Sequence, residues 1–505
     1  MKDKFRLLLY ALAVFLMIET AVFVTDGGVD GLFGTINGYL ASVLFFDVWP
    51  GEGNMPFIVA WLITGAVYLT LRFGFINVRM MGHAIDILRG KYRSAEDKGD
   101  VTPFQALTTA LSATVGLGNI AGVAIAVSVG GPGATFWMIV AGFFGMTSKF
   151  TEVTLAQIYR EFRPDGRVMG GAMEYLSKGF AEKGMPRVGR VLAMLFAVFC
   201  IGASLGGGNA FQVSQAMGAV QGEIPFFKDF PWCFGLIMAF AVGIVIIGGI
   251  RRIAHAAEAI VPTMVFIYLS ACLWIIFSHL DQLPHAFAMI VQQAFHPTAV
   301  AGGMIGVVVQ GFKRAAFSSE AGIGSAAIAH SAAAVKYPVR QGFVALYEPF
   351  IDTIVICTMT ALVIIITGVW QAPEHANLVA QSKGAALTAV AFGSVISWFP
   401  AILSLSVVLF AYSTMISWSY YGERCWTFVF GEKNSIIYRI MFVMFVVLAS
   451  LGSPSSILEF SDLLLLGMAF PNFLALYLLQ GKVAAALADY RRRLQRGEFG
   501  GKQTA

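Results

Sequence analysis

The chain has 505 residues, of which 57% are hydrophobic and only 12% are charged, whereas an ordinary soluble domain carries about 25% charged residues. Thirty-four Lys and Arg residues against 29 Asp and Glu residues give a net charge of +5. This composition excludes a soluble globular protein, a disordered chain and a nucleic-acid-binding protein of the usual basic kind, and it indicates a polytopic membrane protein.

Apolar runs long enough to span a bilayer follow one another along the chain. A hydrocarbon core of about 30 Å needs about 20 apolar residues per helix, so there is room for on the order of a dozen spans. The runs lie at residues 5–24, 56–75, 104–129, 134–159, 191–219, 233–250, 254–278, 300–332, 341–369, 394–419, 436–452 and 458–480. They are apolar all round the helix, which favours helical spans over the alternating pattern of membrane strands.

The charges between the runs predict the orientation in the membrane. Segment 25–55 contains no Lys or Arg, whereas 72–98 contains six of them and 160–190 contains seven. By the positive-inside rule the basic segments face the cytoplasm, so we expect a multi-pass protein of the plasma (inner) membrane with both termini cytoplasmic. Residues 5–24 follow a basic start, and they are either a retained helix or a cleaved signal peptide.

Two glycine pairs interrupt apolar runs at matching positions. Gly116 and Gly118 align with Gly322 and Gly324, and the two runs that hold them are expected to cross the membrane in opposite directions, as in an inverted repeat of five helices per unit. Glycines loosen a helix and free backbone groups, which are tolerated at mid-membrane only where they face a cavity or a ligand. Freed carbonyls suit a cation and half-helix N-termini suit a carboxylate, so a zwitterion with a co-bound cation fits both. The alternative is close packing of small residues between helices.

Ionisable residues within the runs are candidate functional or structural charges, because charges at membrane depth are costly. Lys149 and Glu152 are three residues apart on one helix face and can pair. Arg314 and Glu320 flank the second glycine pair and could brace or gate it. Asp352 lies in a hydroxyl-rich span, where it is either part of a cation or proton relay or a buried, hydrogen-bonded carboxyl.

A cluster of oxygen atoms is predicted in the run at 394–419. The hydroxyls of Ser413 and Thr414 point about 100° apart on a helix, with the carbonyl of Phe410 one turn back. Oxygen ligands of this kind suit a hard monovalent cation, although hydroxyls also bond to their own helix backbone. Trp418 shares a face with Thr414 and either walls a small pocket or lies at the membrane interface.

Two further polar side chains, Asn209 and Gln212, follow three consecutive glycines in the run at 191–219. Each could hydrogen-bond a ligand or a neighbouring helix, and a ligand is the preferred interpretation. Literal matches to dinucleotide-binding and nucleophile-elbow patterns lack the strands that those motifs require, so no enzyme is predicted.

Dense stretches of sequence carry a family resemblance. They include Phe104-Gln-Ala-Leu107, Thr114-Val-Gly-Leu-Gly-Asn119, Gly130-Gly-Pro-Gly133, Phe144-Gly-Met-x-x-Lys149-Phe-x-Glu152, Lys313-Arg314-x-x-Phe317-Ser318-x-Glu320 and Phe410-Ala-Tyr-Ser-Thr414. These residues resemble the signature of the alanine or glycine:cation symporter family, the sodium:alanine symporters, over roughly residues 56–481.

The resemblance implies an all-α membrane protein with a LeuT-type fold. Such a fold has two inverted five-helix repeats with broken first and sixth core helices, here with one or two extra N-terminal helices. The expected division is 1–55 for an N-terminal hydrophobic segment and outer loop, 56–103 for a pre-core helix and cytoplasmic linker, 104–280 and 281–480 for the two repeats, and 481–505 for a basic cytoplasmic tail.

The resemblance also assigns roles by position. The segment Gly116, Leu117 and Gly118 would hold the carboxylate of an amino acid, Phe317 and Ser318 would lie beside its amino group and side chain, and Thr414 and Trp418 would line a pocket for a small side chain. The main sodium site would use Ala113, Gly116, Phe410, Ser413 and Thr414. Asn119 with Ser318 matches a second sodium site of some LeuT-type transporters, and Leu117 stands where some family members have Thr.

The function implied is secondary active transport, in which sodium moving inward drives uptake of a small neutral amino acid, alanine or glycine, by alternating access. Sodium is then a co-transported ion. The alternative is a proton-coupled or uncoupled facilitator of small amino acids.

Overall fold

The computed structural model describes residues 28–49, 54–94, 96–163, 168–247, 249–296 and 303–499. The prediction for residues 5–24 lies outside these ranges. The described chain is almost entirely helical, as the sequence predicted.

The helices are numbered in chain order. In the first half they are α1 (Gly28–Leu44), α2 (Phe57–Arg72), α3 (Ile76–Arg79), α4 (Met81–Leu88), α5 (Pro103–Thr114), α6 (Val123–Gly130), α7 (Gly133–Tyr159), α8 (Ala172–Glu182), α9 (Pro186–Leu205), α10 (Phe211–Glu223), α11 (Phe226–Asp229), α12 (Pro231–Ile246) and α13 (Gly249–Ser278). In the second half they are α14 (Leu283–Phe295), α15 (Gly303–Ser319), α16 (Ala326–Ser331), α17 (Pro338–Ala345), α18 (Tyr347–Pro349), α19 (Thr358–Thr367), α20 (Ala376–Ala380), α21 (Gly384–Gly393), α22 (Phe399–Phe430), α23 (Ser435–Ala449), α24 (Pro454–Gly467) and α25 (Ala469–Gln495).

Shorter elements complete the chain. Turns of π-helix lie at Gly118–Gly122, Gly206–Ala210 and Phe350–Cys357, and turns of 3-10 helix lie at Val369–Gln371, Pro373–His375 and Glu432–Asn434. Strand β1 (Glu161–Phe162) pairs antiparallel with β2 (Val168–Met169).

Several helices have the length and apolarity of a membrane span. Among the described residues, five helical stretches are each long enough and apolar enough to cross a membrane, namely Pro186–Glu223, Gly249–Ser278, Pro338–Thr367, Phe399–Phe430 and Pro454–Gln495. Helices α5 and α6 count as a sixth if they are taken as one span bent by 50°. The remaining predicted runs within the described ranges are also helical. Helix α7 is long and continuous, whereas others are shorter, as in α2, or interrupted, as in α15 and α16.

Several helices occupy segments where the sequence pattern predicted none, among them α4, α8 and α14, and two such segments are informative. Helix α1 lies in the expected outer loop, where the Asn37 amide donates hydrogen bonds to Ser456 and Glu459 of α24. Helix α25 continues to Gln495, well into the expected tail at 481–505. Its residues Val483, Leu487 and Tyr490 are buried at a helical spacing, so an apolar stripe holds this part of the chain against the protein.

The two predicted helix breaks are present, and the broken helices run antiparallel. Backbone bridging joins Val101, just before α5, to Ala333, just after α16. Further along, Gly118 faces Ser318, where an added Cβ on the glycine would lie 3.2 Å from the serine Cα. Residue numbers therefore rise along one broken helix as they fall along its neighbour, which confirms the opposite directions. The full five-helix repeat stays a prediction.

The start of α5 is fixed by its own sequence. Thr102 accepts a hydrogen bond from the Gln105 backbone N–H, and the Gln105 side chain accepts one from the Thr102 N–H, which makes a capping box. Pro103 supplies the first helical residue, where no N–H is needed. This helix therefore begins at a defined position next to Val101, and its distance to the break is set.

An arginine ties the ends of the two broken helices together. Arg160 directly follows α7, and its guanidinium donates to the carbonyls of Ser331, Ala333, Lys98 and Val335 at 3.1, 2.6, 3.0 and 2.9 Å. Four carbonyls from two separate segments are thus held by one side chain. This clamp closes the protein on the face that carries residues 72–98.

We expect Arg160→Gln to open this face. A glutamine amide has one NH2 group and cannot reach both segments. A cysteine placed at the buried Ala333 should then react with a maleimide at least about tenfold faster than it does with Arg160 intact. The matched control is Arg187→Gln, an exposed arginine on the same face. Equal labelling rates in the Arg160 and Arg187 variants would show that the clamp does not hold the face closed.

Candidate functional site

The first break frees two backbone amides, and each takes a side-chain oxygen as its acceptor. The Gly116 N–H donates to Asn119 Oδ1 at 2.9 Å, and the Leu117 N–H donates to Gln212 Oε1 at 3.1 Å. The Gln212 amide in turn donates to the Gly207 carbonyl at 2.8 Å. The break is thus completed by neutral carboxamides rather than by the helix itself. Of the two candidate polar residues after the triple glycine, Gln212 is the one that reaches the break.

The second break adopts a left-handed backbone at three residues. Glu320, Gly322 and Gly324 have φ of +55°, +84° and +88°, values that glycine adopts freely and glutamate rarely. The Gly322 carbonyl accepts a hydrogen bond from the Asn472 amide at 2.8 Å. An added Cβ on Gly324 would lie 2.9 Å from the same amide, so Asn472 holds the turn closely. Ser325 donates to the Glu320 carboxylate and completes the turn.

Asp352 joins the two breaks. Its Oδ1 accepts from the Asn119 amide at 2.6 Å, and its Oδ2 accepts from Ser318 at 2.7 Å and from Thr353 at 2.8 Å. All four side chains are buried. Among the described residues no Lys, Arg or His lies within ion-pair distance of this carboxyl. Because burying an unpaired charge is costly, the group needs a proton or a cation to balance it.

The residues predicted for the main sodium site lie together where α22 packs against the first break. These residues are Ala113, Gly116, Phe410, Ser413 and Thr414. Ser112 donates to the Ser413 carbonyl at 2.8 Å, and Thr414 donates to the Ser112 carbonyl at 3.1 Å. An added Cβ on Gly116 would collide with the Thr414 hydroxyl, and Ser413 donates to the Phe410 carbonyl at 3.0 Å. The Thr414 hydroxyl thus bonds across to α5, whereas the Ser413 hydroxyl bonds to its own helix. Oxygen atoms of these kinds are the ligands that a hard cation takes, and the sodium site stays a prediction.

Aromatic rings close the space beside the breaks. Phe317 approaches Gly207, where an added Cβ would lie 3.6 Å from the ring, and it meets Phe211 edge-on at 4.9 Å. Trp418 packs so closely on Gly208 that a side chain there would collide with it. The glycines of the π-helical turn Gly206–Ala210 thus admit two large rings, which leaves little room for a bulky ligand group.

Asn209, predicted as a ligand contact, faces away from the breaks. Its amide donates to the Phe442 carbonyl of α23 at 2.8 Å. The structure thus shows the bond to a neighbouring helix for the amide nitrogen, whereas the buried Oδ1 has no partner among the described residues, so the ligand contact stays a prediction. Asn209 lies in the π-helical turn and Gln212 lies in the α-helix that follows it, and the two side chains bond to different neighbours.

A network of buried charged residues packs against the second break on the side of α7. Lys149 lies 3.9 Å from its predicted partner Glu152 but only 2.9 Å from Glu348, which also contacts His330 at 3.2 Å. Glu152 accepts from the Asn472 amide at 3.0 Å. This network links α7 to α16, α18 and α25, and its members are fully buried.

Arg314 and Glu320, which were expected to brace or gate the second break, bond to different partners. Arg314 pairs with Asp462 of α24, and Lys313 lies 2.8 Å from the same carboxylate. The left-handed turn at Glu320 carries its carboxylate away from α15, so the two charges separate. The Arg314 guanidinium instead lies 5.2 Å over the Phe317 ring and positions it.

Several residues of the site were not among the predicted ones. Glu348, Asp462 and His330 are ionisable residues within predicted spans, and that signal alone could have found them. Ser112 and Asn472 are uncharged, and the apolar runs contain many such residues. Only the tertiary contacts distinguish these two.

Comparison with known proteins places the chain in a family. The family model described as "Sodium:alanine symporter family" matches residues 47–503. The sodium/alanine symporter AgcS of Methanococcus maripaludis is 39% identical over 431 residues, which is 85% of this chain and 93% of AgcS. A Bacillus subtilis protein named "Probable sodium/glutamine symporter GlnT" is 34% identical over 87% of this chain and 89% of its own length.

A solved structure shares the fold. The crystal structure of MhsT in complex with L-phenylalanine superposes with a TM-score of 0.55 at 13% identity, covering 77% of this chain and 92% of MhsT. MhsT is a transporter of the LeuT fold, so the predicted fold class is confirmed.

We expect Asp462→Asn to destabilise the protein strongly. It leaves Arg314, which is 2% exposed, without a counter-charge, and breaking a buried pair from one side costs about 3–5 kcal/mol. The thermal midpoint in detergent should fall well below that of Asp281→Asn, a control at an exposed aspartate. The double variant Arg314→Met/Asp462→Leu should recover most of the loss. An Asp462→Asn midpoint equal to the control would show that the pair contributes nothing.

Proposed function

The chain belongs to the sodium:alanine symporter family, and from that premise we propose that it takes up a small neutral amino acid, alanine or glycine, driven by sodium moving inward. Family membership makes the chain a multi-pass, cation-coupled amino-acid symporter and not an enzyme. The observation that carries the proposal is the pair of antiparallel helix breaks, whose freed backbone groups are met by exchangeable side chains.

The first break is the proposed carboxylate site. The Leu117 N–H donates to a neutral amide oxygen of Gln212 at 3.1 Å, and a substrate carboxylate is a stronger acceptor than that amide. The N-terminal end of the following helix adds a favourable dipole. Gln212 would then turn aside when substrate binds and remain next to it.

The end of α15 is the proposed site for the amino group. A helix C-terminus has unpaired carbonyls and a partial negative charge, which suit an ammonium group. Phe317 and Ser318 lie there, directly against Gly118. Phe317 and Trp418 together limit the side chain to a small one, which supports alanine or glycine over larger amino acids.

The oxygen cluster of α22 and the first break is the proposed sodium site. A cation that uses Phe410, Ser413 and Thr414 together with the carbonyls of Ala113 and Gly116 would join α22 to the first break. Filling the site would stabilise the arrangement that also holds the carboxylate. Binding of ion and substrate would then be coupled, as symport requires.

Coupling to protons is the second candidate. The buried carboxyl of Asp352 lacks a basic partner among the described residues, and Asn119 and Ser318 bond to it from the two breaks. A proton at this position would respond to movement of either break. A second sodium ion at Asp352 would balance the charge equally.

Uptake into proteoliposomes tests the proposal. We expect labelled alanine or glycine to accumulate against its gradient when sodium is higher outside, and larger amino acids to compete weakly. Without sodium, accumulation should cease. Uptake that ignores sodium, protons and membrane potential would refute symport and leave an uncoupled facilitator.

Thr414→Ala tests the sodium site. Loss of one oxygen ligand should raise the sodium concentration for half-maximal uptake by about tenfold or more. Thr414→Ser keeps the hydroxyl and should stay within about twofold of the unmodified protein. If the alanine variant keeps the original sodium dependence, sodium does not bind at Thr414.

Asp352→Asn separates sodium from proton coupling. An amide keeps the shape of the carboxyl but can neither release a proton nor offer two acceptor oxygens. We expect the variant to retain residual uptake that still depends on sodium, and a pH gradient alone to drive no accumulation in either protein. If a pH gradient drives accumulation in the unmodified protein but not in the variant, the coupling ion is the proton and not sodium.

A further inference from the structure

A cavity of about 310 Å³ lies on the face that carries residues 72–98, away from the two breaks. It is formed by the end of α4, the start of α5 and the segment before α17. Charged and apolar side chains both line it, among them Arg89, Arg93, Arg340, Leu88 and Phe104. The volume is several times the roughly 30 Å³ that a water molecule occupies in the liquid.

Arg340 is a buried cation without an anion. Three arginines are buried among the described residues, and two of them lie within 4.0 Å of a carboxylate: Arg314 of Asp462, and Arg424 of Glu423. Arg340 is 4% exposed and lies that close to no carboxylate in the described part of the chain. Since a buried charge is costly without a partner, this guanidinium favours an anion in the cavity that it lines.

Aromatic rings orient Arg340 but do not neutralise it. The rings of Tyr92, Tyr337, Tyr490 and Phe499 surround its guanidinium at distances from 4.7 to 5.6 Å. The guanidinium also donates to the Tyr92 carbonyl at 2.6 Å and to the Tyr490 hydroxyl at 3.3 Å. All of these partners are uncharged, so the positive charge remains at the cavity wall.

The other charges of the cavity do not compensate. Arg89 and Arg93 are exposed, and neither pairs with a carboxylate of the described residues. The lining also contains one carboxylate, Asp97, which balances one of the three positive charges and whose two oxygens accept the backbone N–H groups of Ser94 and Lys336, each at 2.8 Å. Three guanidinium groups and one carboxylate thus line one space, so the lining carries a net charge of +2.

An apolar surface borders the same space. Phe104 is 43% exposed at the rim, and Leu88 is half-buried beside it. On the preceding helices, Val78 and Ile85 are 60% and 38% exposed, which is typical of a helix that lies in the membrane interface. A ligand that combines an anionic group with acyl chains would satisfy both surfaces.

We propose that this cavity binds the phosphate of an anionic phospholipid from the adjacent leaflet. Arg89, Arg93 and Arg340 donate to the phosphate, and Leu88 and Phe104 contact an acyl chain. Guanidinium groups bind phosphate through paired, charge-assisted hydrogen bonds. Arg340 lies in α17, and the same helical stretch continues to Asp352, so the lipid also supports the helix that joins the two breaks.

Lipid binding to the delipidated full-length protein in detergent tests this site, with native mass spectrometry as the readout. Phosphatidylglycerol, phosphatidylcholine of the same chain length and inorganic phosphate are titrated separately. The unmodified protein should bind phosphatidylglycerol about tenfold more tightly than phosphatidylcholine. Arg89→Gln/Arg93→Gln, two exposed positions, should lose most of this preference. The matched control Arg187→Gln/Arg190→Gln removes the same charge elsewhere on that face and should keep it.

Each other outcome overturns the proposal in a defined way. Equal loss of the preference in both double variants means that general surface charge, not the cavity, attracts the lipid. Inorganic phosphate that binds as tightly as phosphatidylglycerol means that the ligand is free phosphate. Equal binding of the two lipids means that the cavity does not recognise an anion. Arg340→Lys keeps the positive charge but cannot make the paired hydrogen bonds of a guanidinium, so it should weaken phosphatidylglycerol binding and leave the thermal midpoint unchanged. Arg340→Gln removes the charge and should lower the thermal midpoint as well.

Discussion

The structure depends on one constraint, that backbone N–H and C=O groups inside a membrane need partners within the protein. Two helices break within apolar runs, near Gly116 and Gly322, and release such groups. Gln212 and Asn119 meet the amides of the first break, and Asn472 meets the Gly322 carbonyl of the second. The surrounding helices are positioned so that these side chains reach the two breaks.

Both breaks bond to neutral carboxamides, but a network of full charges lies beside the second one, and this difference bears on function. Neutral amides and hydroxyls meet the first break, and a carboxylate or a cation can exchange with them. A network of full charges, with Lys149 and Glu348 at its centre, supports the second break and cannot be rearranged without exposing buried charge. Ligands would therefore exchange mainly at the first break, while the second serves as a fixed wall. Asp352 bonds to both breaks and is placed to pass a change in one to the other.

The sequence predicted the breaks well and their surroundings poorly. Glycine spacing located both breaks and their opposite directions, because glycine in an apolar run has a direct backbone consequence. Hydroxyl spacing left two interpretations open for Ser413 and Thr414, and the structure shows Ser413 bonded to its own helix at Phe410 and Thr414 bonded across to Ser112. The partner of Arg314 could not be predicted, since Asp462 lies 148 residues away and pairing depends on how the helices pack. Asn209 and Gln212 looked equivalent in the sequence, and only the tertiary contacts show that Gln212 bonds to the first break.

The central claim is that ion and amino acid bind to one broken helix and stabilise it together. Equilibrium binding to the purified protein tests this most directly, with labelled alanine measured at rising sodium and radioactive sodium measured at rising alanine. The account predicts that each ligand raises the affinity for the other by the same factor, about 5- to 150-fold. Gly116→Ala, which forces a methyl group against the Thr414 hydroxyl, should abolish both effects. Alanine binding with the same affinity at every sodium concentration would contradict the account.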